Sequence, residues 1–175
     1  MARFVQRIVG ALALNPDTYE DIEHDQNATV QALGVVVLSS LAASIGAGGG
    51  LSINGVVGHT AVGLASWVLW TLIVLQVGGR IWPETSTRVT TSELLRTIGF
   101  ATAPGLIQMA GVVPGLATPS LVVAWCWMLA AVVVGVRQAL DYRRPGHALL
   151  VCLIGWLVAF TLTAGTGLLM TTAAH

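Results

Sequence analysis

Long apolar stretches alternate with short polar ones along most of this chain. Residues 26–79, 97–136 and 145–175 contain no Asp, Glu, Lys or Arg. A helix needs roughly 20 apolar residues to cross about 30 Å of hydrocarbon, so the three stretches read as two spans, two spans and one. The pattern predicts an all-α, polytopic membrane domain over 28–170, with five transmembrane helices at about 28–47, 60–79, 98–113, 120–136 and 148–170. A short external tail, 171–175, follows.

The polar interruptions sharpen these boundaries. Gln31, Ser39, Ser40 and Ser44 are the polar positions of the first span, and glycines 48–50 with Ser52-Ile53-Asn54-Gly55 predict the first external loop. The second span carries Trp67 and Trp70 and ends at Gln76 and Arg80, where Trp82 marks a membrane–water interface. Thr91-Ser92-Glu93 opens the third helix, with Thr91 or Ser92 as its cap. Pro104 falls about a third of the way along that span. Its ring removes a backbone hydrogen bond, which predicts a kink at Ala103-Pro104-Gly105, a carbonyl near Phe100 in need of a partner, and a packing hub for the bundle. Pro114 to Pro119 is the next turn, and RQALDYRRPGH joins the fourth span to the fifth. Gly99/Ala103, Ser40/Ser44 and Gly155/Ala159 have the spacing of small residues that let helices approach closely.

Residues 1–27 differ in kind and predict a cytoplasmic amphipathic and acidic helical segment. Phe4, Val5, Ile8, Val9 and Leu12 share one helical face and Arg3, Gln6 and Arg7 the other, the pattern of a helix lying in the membrane interface with its arginines near lipid phosphates. A signal peptide fits less well, because the apolar run is short and an acidic segment follows it. Asn15-Pro16 reads as an N-cap followed by proline at the first helical position. The helix it starts, DTYEDIEHD, joins Tyr19 and Ile22 on one face and crowds the rest with carboxylates.

Composition agrees with the spans. Hydrophobic residues make up 55% and charged residues 9% of the chain, against about a quarter charged in an ordinary soluble domain. The formal net charge is zero and no basic stripe interleaved with aromatics is present, so nucleic acid is not an expected partner. All eight basic residues are Arg, which with the wealth of Ala, Gly and Val points to a GC-rich bacterial genome. They fall in the N-terminal segment, in 80–97 and in 137–147, so the positive-inside rule places the N-terminus in the cytoplasm and the C-terminus outside. Cys126 and Cys152 lie inside predicted spans, where cysteine serves as a small buried hydrophobe.

Candidate chemistry is sparse. No HExxH, GxSxG, Walker or GxGxxG signature is present, and no nucleophile–base pair is visible. Asp17/Asp21 and Glu20/His24 stand at i,i+4 and could hold a metal ion, but a solvated acidic face is the simpler reading, folded back on Arg88, Arg96 or Arg143. Arg137 and Asp141, with Gln138 between them, predict an ion pair closing the fourth span. His59 and His147 sit at opposite membrane faces and cannot share a metal. Gln76 and the deeper Gln108 are expected to bond between helices. No cofactor is expected.

NPDTYEDIEHD followed by ATVQALGVVVL, then ELLRTIGFATAPGLI, then AWCWMLAAVVVGVRQALDY and a Pro-Gly turn, together resemble bacterial members of the Yip1-domain family. The resemblance runs from about Arg7 to Leu162. GFATAP at 99–104 and VRQALDY at 136–142 are its most specific parts, and Glu93, Gly99, Ala103, Pro104, Gly105, Gln108, Arg137, Gln138 and Asp141 are the motif or structural positions. It implies a five-span membrane domain with a cytoplasmic N-terminus. Eukaryotic relatives are associated with Golgi and endoplasmic-reticulum trafficking and Rab GTPases, partners that a bacterial cell lacks. His147 stands where an Arg is expected after the Pro-Gly turn. The resulting expectation is a non-enzymatic protein of the bacterial inner membrane that organises membrane or scaffolds proteins, with the lipid bilayer and a homo-oligomer or other membrane proteins as partners. The alternative is a small oligomeric transporter or channel subunit.

Overall fold

The computed structural model describes residues 2–49, 53–81, 89–142, 144, 146–155 and 157. Among these residues it is all-helical. In chain order the α-helices are α1 (Ala2–Leu12), α2 (Pro16–His24), α3 (Ala28–Ser44), α4 (Ile53–Gln76), α5 (Thr91–Phe100), α6 (Ala117–Ala139) and α7 (Gly146–Gly155). A π-helical turn, Ile45–Gly49, extends α3, another, Val77–Ile81, extends α4, and a 3₁₀ helix, Ala103–Val112, follows α5. Three stretches are long and apolar enough to cross a membrane: Ala28–Gly48, Gly55–Ile81 and Ala117–Ala139, with mean hydropathies of 1.8, 1.8 and 2.1. They coincide with the first, second and fourth predicted spans.

Two boundaries differ from expectation. The glycine-rich stretch does not make a long loop, for α4 already begins at Ile53 and runs through Asn54, Gly55, Gly58 and His59. Propensity is a weak prior, and the apolar context outweighs it here. Gly48 alone takes φ +79, a conformation open to glycine without strain, and this closes the π turn. The second difference lies at 98–113, which is not one kinked α-helix. α5 stops at Phe100, Ala101 and Thr102 turn, and the chain resumes as 3₁₀ helix.

Pro104 explains why the α-helix stops, and Ser39 and Thr102 explain why the break is stable. Thr102 Oγ1 donates to Gly99 O at 2.7 Å, Gly105 N donates to Thr102 O, and Ser39 Oγ of α3 donates to the same Thr102 carbonyl at 2.8 Å. Carbonyls that a helix break exposes inside an apolar body need such partners. The broken segment still runs beside α3 in parallel register. Gly99 sits against Ala32, Gly105 against Ser39, and Gly46 against the backbone of Gln108 and Gly111. Glycine at 46 and 111 allows two backbones to touch. Of the predicted fifth span, α7 covers the first part; the remainder apart from Leu157, the 171–175 tail, and Trp82, Arg88 and Arg143 lie outside the described residues.

Candidate functional site: a polar layer at the ends of four helices

α2 is built as its sequence predicts. Asn15 Oδ1 accepts from Asp17 N at 3.0 Å, Pro16 takes the first helical position, and Tyr19 and Ile22 are fully buried. Tyr19 lies against Gly135 of α6 and its hydroxyl donates to Ala11 O. Burial raises its phenol well above the usual range.

α1 corrects an expectation. Arg7 does not reach for lipid phosphate: it is 2% exposed and turned inward. Nε donates to Asp21 Oδ2 at 2.8 Å, Nη2 to Asp25 Oδ2 at 2.8 Å, and Nη1 to Gln31 Oε1 at 3.0 Å. One guanidinium thus ties α1 to α2 and to the first turn of α3. The hydrogen bonds from Arg7 and from Asn27 N hold the Asp25 carboxyl below its ordinary value. Phe4 packs edge-on against Phe100, and Trp127 Nε1 of α6 donates to Leu12 O at 3.0 Å. Val5 and Val9, predicted on the apolar contact face, are each 57% exposed, with Arg3 and Gln6.

α5 starts with a capping box in which Thr90, one residue before the predicted caps, accepts from Glu93 N while Glu93 Oε2 accepts from Thr90 N at 2.7 Å. Arg96 is buried, and its Nη2 donates to the carbonyl of Glu23, so the acidic helix does fold back on Arg96, though onto backbone. Trp67 Nε1 donates to Leu95 O at 3.0 Å, fixing α4 to α5. α6 ends at Ala139, and Asp141 takes φ 51 in the turn that follows. Asp141 is therefore not one helical turn beyond Arg137, whose Nε donates to Tyr142 O. The Tyr142 hydroxyl donates to Gly78 O at 2.9 Å, and its ring meets His147 edge-on.

These ends enclose a cleft of about 520 Å³ lined by Glu20, Glu23 and His24 of α2, Glu93 of α5, and Arg137, Gln138, Asp141 and Tyr142 of α6 and its turn. Burial raises the Glu23 carboxyl to about 7, Glu93 and Asp141 push the same way, and His24 and Arg96 oppose them. His24 is raised by the hydrogen bond of its Nδ1 to Glu20 O, 2.8 Å. The candidate metal set is divided among other tasks: Asp21 serves Arg7, His24 faces a carbonyl, and Asp17 follows the cap. Among the described residues no three His, Cys, Asp or Glu side chains stand close enough to hold a metal ion. Gln108 is half-buried on the 3₁₀ helix, and Ala103, Pro104 and Gly105 are buried between α3 and α6. Cys126 and Cys152 are free. Arg7 and Glu23 are the two residues that sequence reasoning missed, and neither spacing nor composition distinguishes them from solvated neighbours.

Apolar helices of spanning length, with the Arg-bearing N-terminal segment, the start of α5 and the end of α6 gathered into one polar layer, define a helical membrane protein. The chain belongs to the Yip1 domain family, whose model matches residues 9–166. Comparisons with curated proteins and with solved structures found no match.

Proposed function

We propose that the protein is a non-enzymatic, five-pass protein of a bacterial inner membrane that organises membrane or scaffolds other proteins, as a homo-oligomer or with other membrane proteins. The observation that carries this reading is how the polar groups are used. Arg7, Arg96, Trp67, Trp127 and Tyr142 spend hydrogen bonds on carboxylates and main-chain carbonyls that tie helices together, and Arg137 spends one on the turn that closes α6. The exposed faces of α4 and α6 are broadly apolar, through Val57, Val62, Leu69 and Leu72 on one and Leu121, Val122 and Trp125 on the other. Such faces suit lipid or a neighbouring helix. The parallel run of residues 99–111 beside α3 supports a third pass, and the gathering of arginines at one end supports a cytoplasmic N-terminus and an external C-terminus. In-membrane crosslinking and reconstitution into liposomes test the reading. Self-association, a reproducible membrane partner or a lipid preference is the expected result; a monomer with none of the three overturns it.

A transporter or channel subunit is the second reading. Irregular helices at Ile45–Gly49 and Ala103–Val112 meet where Gly46 touches Gln108 and Gly111, and interrupted helices of this kind carry ion and substrate sites in transporters. Solute flux in proteoliposomes that Gln108→Ala abolishes would favour it.

A further inference from the structure

α1 has three sides, and the described residues occupy two of them. On the first, Phe4, Ile8 and Leu12 pack against the core, with the Phe4 ring against Gly34 of α3 and edge-on to Phe100. On the second, Arg7 and Gly10 meet α2, Arg7 through Asp21 and Asp25 and Gly10 against Thr18. The helical repeat puts Ala2, Val5, Val9 and Ala13 together on the third, and all four are exposed. Ala13 belongs with them because its N donates to Val9 O and continues the turn. Gln6 and Arg3 edge this arc on the α2 side alone.

The open side is held where it is. Leu14 N donates to Ala11 O and Asn15 N to Gly10 O, a hydrogen-bonded cap that the left-handed Leu14 completes. The Tyr19 hydroxyl donates to Ala11 O, and Arg7 ties the helix to α2 and α3. α1 therefore cannot roll to hide Val5 and Val9 without breaking these bonds.

Its level in the bundle is also fixed. Trp127, which donates to Leu12 O, stands near the middle of α6. The 23 residues of α6 make about 34 Å at a rise of 1.5 Å each. Nearly all of that length is used in crossing about 30 Å of hydrocarbon, so the middle of α6 lies inside the bilayer. Gly34, the contact of Phe4 at the other end of α1, likewise falls within the spanning stretch Ala28–Gly48.

We infer that α1 lies inside the leaflet at the C-terminal end of α6 and presents Ala2, Val5, Val9 and Ala13 to lipid acyl chains, with α2 on its aqueous side. The occupant is lipid because the arc offers aliphatic groups alone at a level where the neighbouring helices are in hydrocarbon. Four small side chains also cover far less than the roughly 800 Å² per partner of a stable protein interface. The lipid face is thus not the one the helical wheel suggests: Phe4, Ile8 and Leu12 go to the protein, and only Val5 and Val9 of that set remain outside. The inference needs α3 and α6 to cross the bilayer and holds whether the protein scaffolds or transports.

Spin labels on the full-length protein test it, in vesicles of phosphatidylethanolamine and phosphatidylglycerol. Cys126→Ser and Cys152→Ala remove the native thiols, and single cysteines are then placed by Val5→Cys, Val9→Cys and Gln26→Cys, all at exposed positions. Power saturation against oxygen, which concentrates in hydrocarbon, and a nickel chelate, which stays in water, gives the depth of each label. The labels at 5 and 9 should favour oxygen and lie about 5–10 Å below the phosphates, whereas the label at 26 should favour the chelate. A label at 9 as open to the chelate as the one at 26 would overturn the inference, since α1 would then face water. A label at 9 closed to both reagents would overturn it as well, since a second copy or another part of the chain would then cover the arc. Either result would leave the membrane-organising reading standing.

Discussion

The two faces of α2 carry the same functional group and treat it in opposite ways. At the clamp, Asp21 and Asp25 meet a guanidinium that is 2% exposed and hydrogen-bonded through three nitrogens. At the cleft, Glu23 meets other carboxylates while the nearby arginines bond to carbonyls. Charge-assisted bonds are worth about twice a neutral one, so the clamp fixes α2 firmly to α1 and α3. A carboxyl half-buried away from water, with others of its kind nearby, is favoured in its protonated form. The four acids of this nine-residue helix and Asp25 at its cap therefore need not act alike, and position relative to one buried arginine separates them.

Removing the clamp is the severest way to break this contrast. Arg7→Met should cost about 2 kcal/mol, after discounting for the half-exposed Asp21, and release α1 and α2 to protease before the spans unfold. Limited proteolysis in mild detergent checks it. Trp127→Phe keeps the ring and loses one hydrogen bond to Leu12 O, which should cost about 1 kcal/mol and loosen α1 without changing the clamp. Thermal unfolding of the purified protein reads that loss. The smallest effect is expected from Asp25→Asn. Asp25 has a lowered carboxyl, so its contribution is present above its ordinary 3.8 and lost as pH falls through the lowered value. The acid limb of the stability profile should flatten in this variant, while the neutral limb, to which Glu23 and His24 both contribute, stays; a change in the neutral limb instead would mean that the two faces are coupled.

Much of the architecture could be read from residue order. Gaps in charge located the apolar helices, and Asn15-Pro16 located the start of α2, because both signals act over a few residues or simply count solvation. The failures came where a distant group decided the outcome. Pro104 announces a disturbed helix, but whether it kinks or ends depends on Ser39, 63 residues away along the chain, bonding to Thr102. Arg7 reads as a surface cation on a helical wheel, and only the placement of α2 and α3 makes it a buried clamp. Gly55 reads as loop, yet α4 absorbs it. The cleft was the least legible, since its acids come from α2, α5 and the turn after α6.

The bond from Trp127 to Leu12 joins residues 115 apart. Arg7, in contrast, finds all its partners within 24 residues. During synthesis at roughly 5–20 residues per second, α1 and α2 can therefore clasp each other as soon as α3 begins to emerge, and then wait on the order of ten seconds for α6. The N-terminal layer is made before the helices it rests on and is among the last to be seated. A chain that stops before Trp127 has its first two helices paired and resting on α5 through Phe4 and the Glu23 carbonyl, but lacks the bond to Leu12 and the Gly135 surface, and so leaves Tyr19 without the cover that the finished protein gives it.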